Sequence, residues 1–167
     1  MGSSINTKEF SSKQENRIAE YLGWSVVSGS GSRPALPGDI ESDEWLGECK
    51  THCSESNYIE FLKEHWDKIS KEAIAKFKFA VLMTDNGTQD IDKTWCIFNP
   101  TCIDHVVKID VSDIVPKPTH RKFRCTLSQL EDVYAEIGSE TIAIMQWEPM
   151  IKLAICPLHI FKEIFVQ

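Results

Sequence analysis

Ile59, Leu62, Trp66, Ile69, Ala73 and Phe77 recur at spacings of three and four. That rhythm predicts one long amphipathic helix, with Lys63, Glu64, Asp67, Lys68, Lys71 and Glu72 filling its solvent side. A first helix is expected from Ser11 or Ser12, as cap, to about Leu22, with Gly23 ending it. Trp24–Ser28 reads as a short strand, and Gly29–Gly38, with two prolines and three glycines, as a loop. Asp39–Glu41 starts a strand, Ser42-Asp43-Glu44 turns, and Trp45–Thr51 returns as a second strand. Phe79–Met83 is a buried strand, Asp85-Asn86-Gly87 a turn, and Thr94–Phe98 a further strand. In the tail, Phe123–Thr126, Thr141–Trp147 and Ile151–Ile155 read as strands, and Leu127–Ile137 and Leu158–Phe165 as helices. This order predicts an α/β domain with a mixed sheet covered by helices. Its 167 residues suit a single domain, with a core at about 10–100 and an extension at about 101–167.

Hydrophobic residues make up 42% of the chain and charged residues 26%, which excludes a disordered or fibrous polypeptide. No apolar run approaches the roughly 18 residues of a membrane span, and MGSSINTKEF lacks the pattern of a signal peptide. The expectation is a cytoplasmic protein without a membrane partner. Its six cysteines form no CxxC pair and are expected to be reduced, mostly buried thiols. His52 and Cys53 adjoin Cys49, and Cys96, Cys102 and His105 cluster loosely, yet neither group has the spacing of a structural zinc site. The net charge of −7 argues against a general polyanion binder, because nonspecific DNA affinity comes mainly from phosphate neutralisation. One segment departs from that balance: Lys117–Arg124 carries four Lys or Arg and one His with no acid. Such a run is usually a solvated face; its Lys117, Arg121, Lys122 and Arg124 are also the candidate DNA contacts.

Alternation along Trp45–Thr51 places Leu46, Glu48 and Lys50 on one face of the strand. A carboxylate and an ammonium there could simply be a solvated edge. They could instead hold a metal and a substrate phosphate. The hairpin folds Asp39 back beside Glu48, and two adjacent carboxylates invite a divalent cation. Glu15, Ile18 and Leu22 follow i, i+3, i+7, so Glu15 lies on the core-facing stripe of its helix. It is either a capping-box partner of Ser12 or a third carboxylate for the cation. A cluster of this kind suits phosphodiester hydrolysis with Mg²⁺, which keeps waters and accepts carboxylate and phosphate oxygens. Lys50 is suited to orient or deprotonate the attacking water, or to hold the phosphate as a point charge. The loop Gly29–Arg33 is a flexible connector or a phosphate cradle, with Arg33 either clamping phosphate or solvated.

Pro37-Gly38-Asp39 followed by Glu48-Cys49-Lys50 resembles the PD-(D/E)xK nuclease superfamily, with Gly38 inserted between the usual Pro and Asp. A glutamate on the first helix, the Gly-Ser-rich loop, the aspartate and the Glu-x-Lys strand are more narrowly similar to archaeal-type Holliday junction resolvases. The likeness covers about residues 10–84. It implies a restriction-endonuclease-like fold, a mixed central sheet flanked by helices, and dependence on Mg²⁺ or Mn²⁺. It also implies a homodimer and paired incisions in branched DNA. The carried-over site is Glu15, Asp39, Glu48 and Lys50, the three carboxylates holding metal, with Ser30 or Ser32 contacting phosphate. A junction resolvase is therefore the leading expectation. A restriction- or repair-type nuclease on linear duplex shares its chemistry. A non-catalytic nucleic-acid or protein interaction module on the same fold is the contrasting class.

Overall fold

A computed structural model describes residues 6–27 and 36–166. Helix α1 (Thr7–Leu22) starts earlier than the serines suggest. Asn6 is its cap, accepting the Glu9 N–H at 3.4 Å, so Ser11 and Ser12 lie inside the helix. This removes the capping-box role for Glu15. Gly23 closes the helix in the left-handed region, at φ 71°.

The strands β1 (Ser25–Val26), β2 (Ile40–Glu41) and β3 (Trp45–Lys50) follow, then β4 (Tyr58–Leu62), α2 (Lys63–Ala75) and β5 (Phe79–Thr84). After β6 (Trp95–Phe98), β7 (Val107–Asp110) and β8 (Lys122–Thr126) come α3 (Leu127–Ile137), β9 (Thr141–Glu148), β10 (Ile151–Pro157) and α4 (Leu158–Phe165). Eight strands form one mixed sheet in the order β1-β2-β3-β5-β6-β10-β9-β7, parallel at β3–β5 and β7–β9 and antiparallel elsewhere. The mixed α/β architecture is as expected. β4 and β8 pair separately as an antiparallel ribbon.

The long helix is shorter than its apolar rhythm predicts. Ile59 and Leu62 belong to β4, where Tyr58-Ile59-Glu60-Phe61-Leu62 buries alternate residues and β8 supplies the ladder. The period of two, carried by strand-forming Tyr, Ile and Phe, wins over the coincidental spacing of three. Trp66, Ile69 and Ala73 do form the buried stripe of α2. Phe77 does not: it lies beyond the helix end at φ 58° and is 97% exposed. β7 is a further strand that the pattern leaves unmarked.

Alternation along β3 divides the sheet's two faces. Trp45 meets α4, its ring centroid 5.0 Å from Phe161 and 4.7 Å from Phe165. α1 lies beside α4, with the Lys162 ammonium 4.2 Å above the Tyr21 ring. Each fully buried aromatic contributes on the order of 1.5–3 kcal/mol, so the last helix is a substantial part of this face. α2 covers the opposite face, the one that carries Glu48. Residues after 100 also supply three of the eight strands of the large sheet, β7, β9 and β10, and α3 is tied to it by the Tyr134 hydroxyl, which donates to the Ile155 carbonyl.

Candidate active site

The β2–β3 hairpin assembles the first two members of the cluster. The Asp39 N–H donates to the Gly47 carbonyl at 2.8 Å, and Asp39 Oδ2 accepts the Cys49 N–H at 2.8 Å. Gly38 makes this turn possible. Its φ is +72°, and a Cβ there would lie 2.6 Å from Leu46 Cδ1. The Gly38 N–H donates to Glu72 Oε2 at 3.1 Å, which ties the residue before Asp39 to α2.

Glu48 is only 2% exposed. Its Oε1 receives two ammonium groups, Lys50 Nζ at 2.8 Å and Lys68 Nζ at 3.5 Å. Its Oε2 is buried and has no hydrogen-bond partner among the described residues. A buried carboxylate oxygen without a donor is costly and well suited to a cation.

Glu15 reaches the same place from α1. Its neighbour Gln14 docks the helix, donating through Nε2 to the Lys50 carbonyl and to Asp85 Oδ2, both at 2.7 Å. Asp85, fully buried at the end of β5, also accepts from Thr51 Oγ1 at 2.8 Å and the Gly87 N–H at 2.6 Å. Burial, then Asp39 and Glu48, push the Glu15 carboxyl up to about 7 against the pull of Lys50. Burial and then Glu48 push Asp39 up to about 6, against its Cys49 hydrogen bond and the charges of Lys50 and Lys68. Burial works against the Lys50 ammonium, but Glu48 outweighs it and the pKa lies above its ordinary value. Burial and then Lys50 hold His65 of α2 below its ordinary range, so its imidazole is neutral at pH 7.

Glu15, Asp39, Glu48 and Lys50 are thus brought into mutual electrostatic contact from three elements. Gln14, His65, Lys68 and Glu72 join them without having been marked by the sequence. A visible signal existed for the last three: positions 65, 68 and 72 are spaced i, i+3, i+7, a polar row beside the apolar stripe. Lys68 and Glu72 face the site rather than open solvent alone. Ser30, Ser32 and Arg33 lie outside the described residues. Lys117 and Arg121 are exposed. Lys122 and Arg124 on β8 reach Glu60 at 3.7 and 2.6 Å, and the Arg124 guanidinium stacks 4.2 Å from the Tyr58 ring.

All six cysteines are free thiols. Among the described residues, no three His, Cys, Asp or Glu side chains stand as a ready-made metal cage. Mg²⁺ does not require one, since one or two carboxylates plus water and phosphate complete its shell. The donor set here, Asp39 and the donor-free oxygen of Glu48, fits that demand. No helix among the described residues is long and apolar enough to cross a membrane. Protein-family models, curated proteins and solved structures contain no match to the chain.

Proposed function

We propose that the chain is a metal-dependent endonuclease hydrolysing DNA phosphodiester bonds at Glu15, Asp39, Glu48 and Lys50. Its substrate is a four-way junction, its cofactor Mg²⁺ or Mn²⁺, and its working form a homodimer. One observation carries the reading: burial and neighbouring carboxylates push Glu15 up to about 7 and Asp39 up to about 6, beside a buried Glu48 oxygen that lacks a donor among the described residues. Carboxylates under such mutual pressure are relieved by a divalent cation. The finer fold reading, a restriction-endonuclease-like core, draws support from the β2–β3 hairpin and the crossover through α2 to parallel β5.

Asp39 and Glu48 are the residues suited to hold the metal, with Glu15 beside them. When bound, the metal supplies a water of lowered pKa and neutralises charge on the reacting phosphate. The chain's own groups divide the remaining work. Lys50, raised above its ordinary pKa, stays an ammonium at neutral pH and acts as a point charge for the phosphate. Glu15, near 7, is the group placed to exchange a proton in the working range. Asp85 and Gln14 hold the Lys50 backbone and α1 together, fixing the approach of Glu15.

The test is incubation with labelled four-way junction, single-stranded and linear duplex DNA in Mg²⁺, Mn²⁺ or EDTA, with Glu48→Ala alongside. Paired symmetric cuts in the junction alone, lost in EDTA and in the variant, are expected. Equal cutting of linear duplex would remove the junction preference and leave the nuclease. Absence of metal-dependent cleavage of every substrate would leave a binding module and end the enzyme reading.

A further inference from the structure

One face of α2 stands over the cluster without a role in the scheme above. His65, Lys68 and Glu72 form its polar row, and Lys68 reaches out of it to Glu48 Oε1 at 3.5 Å and Glu72 Oε1 at 3.9 Å. The two contacts are long, and the Lys68 side chain remains 55% exposed. Lys50 already occupies the same Glu48 oxygen at the shorter distance of 2.8 Å. A half-solvated ammonium at these distances is weakly held, so it can exchange partners readily. Its neighbour His65 is neutral at pH 7 and offers a hydrogen bond without a competing charge.

The surrounding charge makes this cation notable. The chain carries −7 overall, and a polyanion can approach only where cations are local. On the basic stretch, Lys122 and Arg124 are engaged with Glu60. At the site itself Lys50 lies closer to Glu48, whereas Lys68, at the longer distance and more exposed, sits where the buried carboxylate meets water.

We propose that Lys68 is a substrate-binding residue of this site, exchanging its long contact with Glu48 for a phosphate oxygen of the bound polynucleotide. The inference rests on the phosphodiester reading and deepens it, since it makes one face of α2 the second arm of a phosphate clamp opposite Lys50. Glu72 stands at the foot of that arm, accepting the Gly38 N–H at 3.1 Å and lying 3.9 Å from the Lys68 ammonium.

The experiment measures binding of a fluorescent four-way junction and a duplex by anisotropy, in EDTA and again in Ca²⁺, across a range of salt. It compares wild type, Lys68→Met and Lys68→Arg, with cleavage kinetics in Mg²⁺ run in parallel. Loss of one phosphate contact should flatten the dependence of log affinity on log salt by about 0.9 and weaken binding several-fold at low salt. KM should rise in the same ratio with kcat within about twofold, the mark of uniform binding. Lys68→Arg should restore both the slope and KM. Melting curves report folding, and Lys68→Gln replaces the methionine variant if that one is unfolded. A salt slope and KM equal to wild type, with only thermal stability changed, would make Lys68 a mere counter-ion of Glu48 and overturn the proposal. Wild-type protein that binds and cuts DNA while Lys68→Met matches it refutes this inference alone. Wild-type protein that binds no DNA refutes it together with the function on which it rests.

Discussion

Replacing Asp39 by Asn tests whether the carboxylate cluster is under electrostatic pressure. The carboxyl is raised from 3.8 to about 6, so the folded state holds its proton more tightly than the unfolded chain. A raised acid pKa makes ionisation a cost to folding. That cost is absent below about pH 4, grows between about pH 4 and 6, and is complete above about 6. Roughly two pH units at 1.36 kcal/mol each give on the order of 2–3 kcal/mol. Asparagine keeps an oxygen to accept the Cys49 N–H and removes the charge, so it should recover most of that energy. For a chain of this size, the metal-free variant should melt about 4–12 °C above wild type at pH 8. The gain should vanish towards pH 4. Millimolar Mg²⁺ should then raise the wild-type midpoint at pH 8 more than the variant's, because the variant lacks one of the two carboxylates suited to hold the ion. Scanning calorimetry from pH 4 to 8, with and without Mg²⁺, reads all three. An Asp39→Asn protein no more stable than wild type at pH 8, or a difference that does not vary with pH, would refute the reasoning.

Cleavage at limiting Mg²⁺ should rise with an apparent pKa between about 6 and 7, as Asp39 and Glu15 ionise, and this rise should move to lower pH as Mg²⁺ increases; a profile flat over this range counts against metal-ligand or proton-exchange roles for the two. Phe161→Ala should cost about 3–5 kcal/mol in urea titration, because the fully buried ring packs on Trp45, Phe98 and Phe165; a loss below about 1 kcal/mol would mean that α4 does not anchor this face. Phe77→Gly should gain about 0.5–1 kcal/mol, since a left-handed φ disfavours any side chain and the exposed ring has little packing to lose; a lowered urea midpoint would contradict that.

Local signals in the chain proved the most legible. α3 and α4 match their expected bounds to the residue, because Thr126 with Gln129 forms a capping box and Pro157 precedes a strongly amphipathic end. Glu48 and Lys50 could be placed on one face from alternation alone, and Asp39 beside them from the length of one hairpin. β4 was hidden because five residues can satisfy two periods at once, and only the β8 partner, distant in sequence, decides between them. Lys68 reads as a solvated helix residue until α2 docks on β3, and Asp85 as a turn residue until Gln14 reaches it from α1. The start of α1 is ambiguous in the sequence because Asn6, Ser11 and Ser12 are all competent caps, and it is Asn6 that accepts the Glu9 N–H.

The position of α4 has a consequence for the order of events during synthesis. The residues proposed to act on DNA are made early, all before Thr88. The sheet face behind them is closed by Phe161 and Phe165, which pack on Trp45 from the far end of the sequence. A nascent chain therefore carries its acids and lysines on an incompletely covered sheet until these aromatics leave the ribosome. The sheet face behind the cluster therefore stays open until α4 is made, even though every acidic and basic group of the cluster is already present.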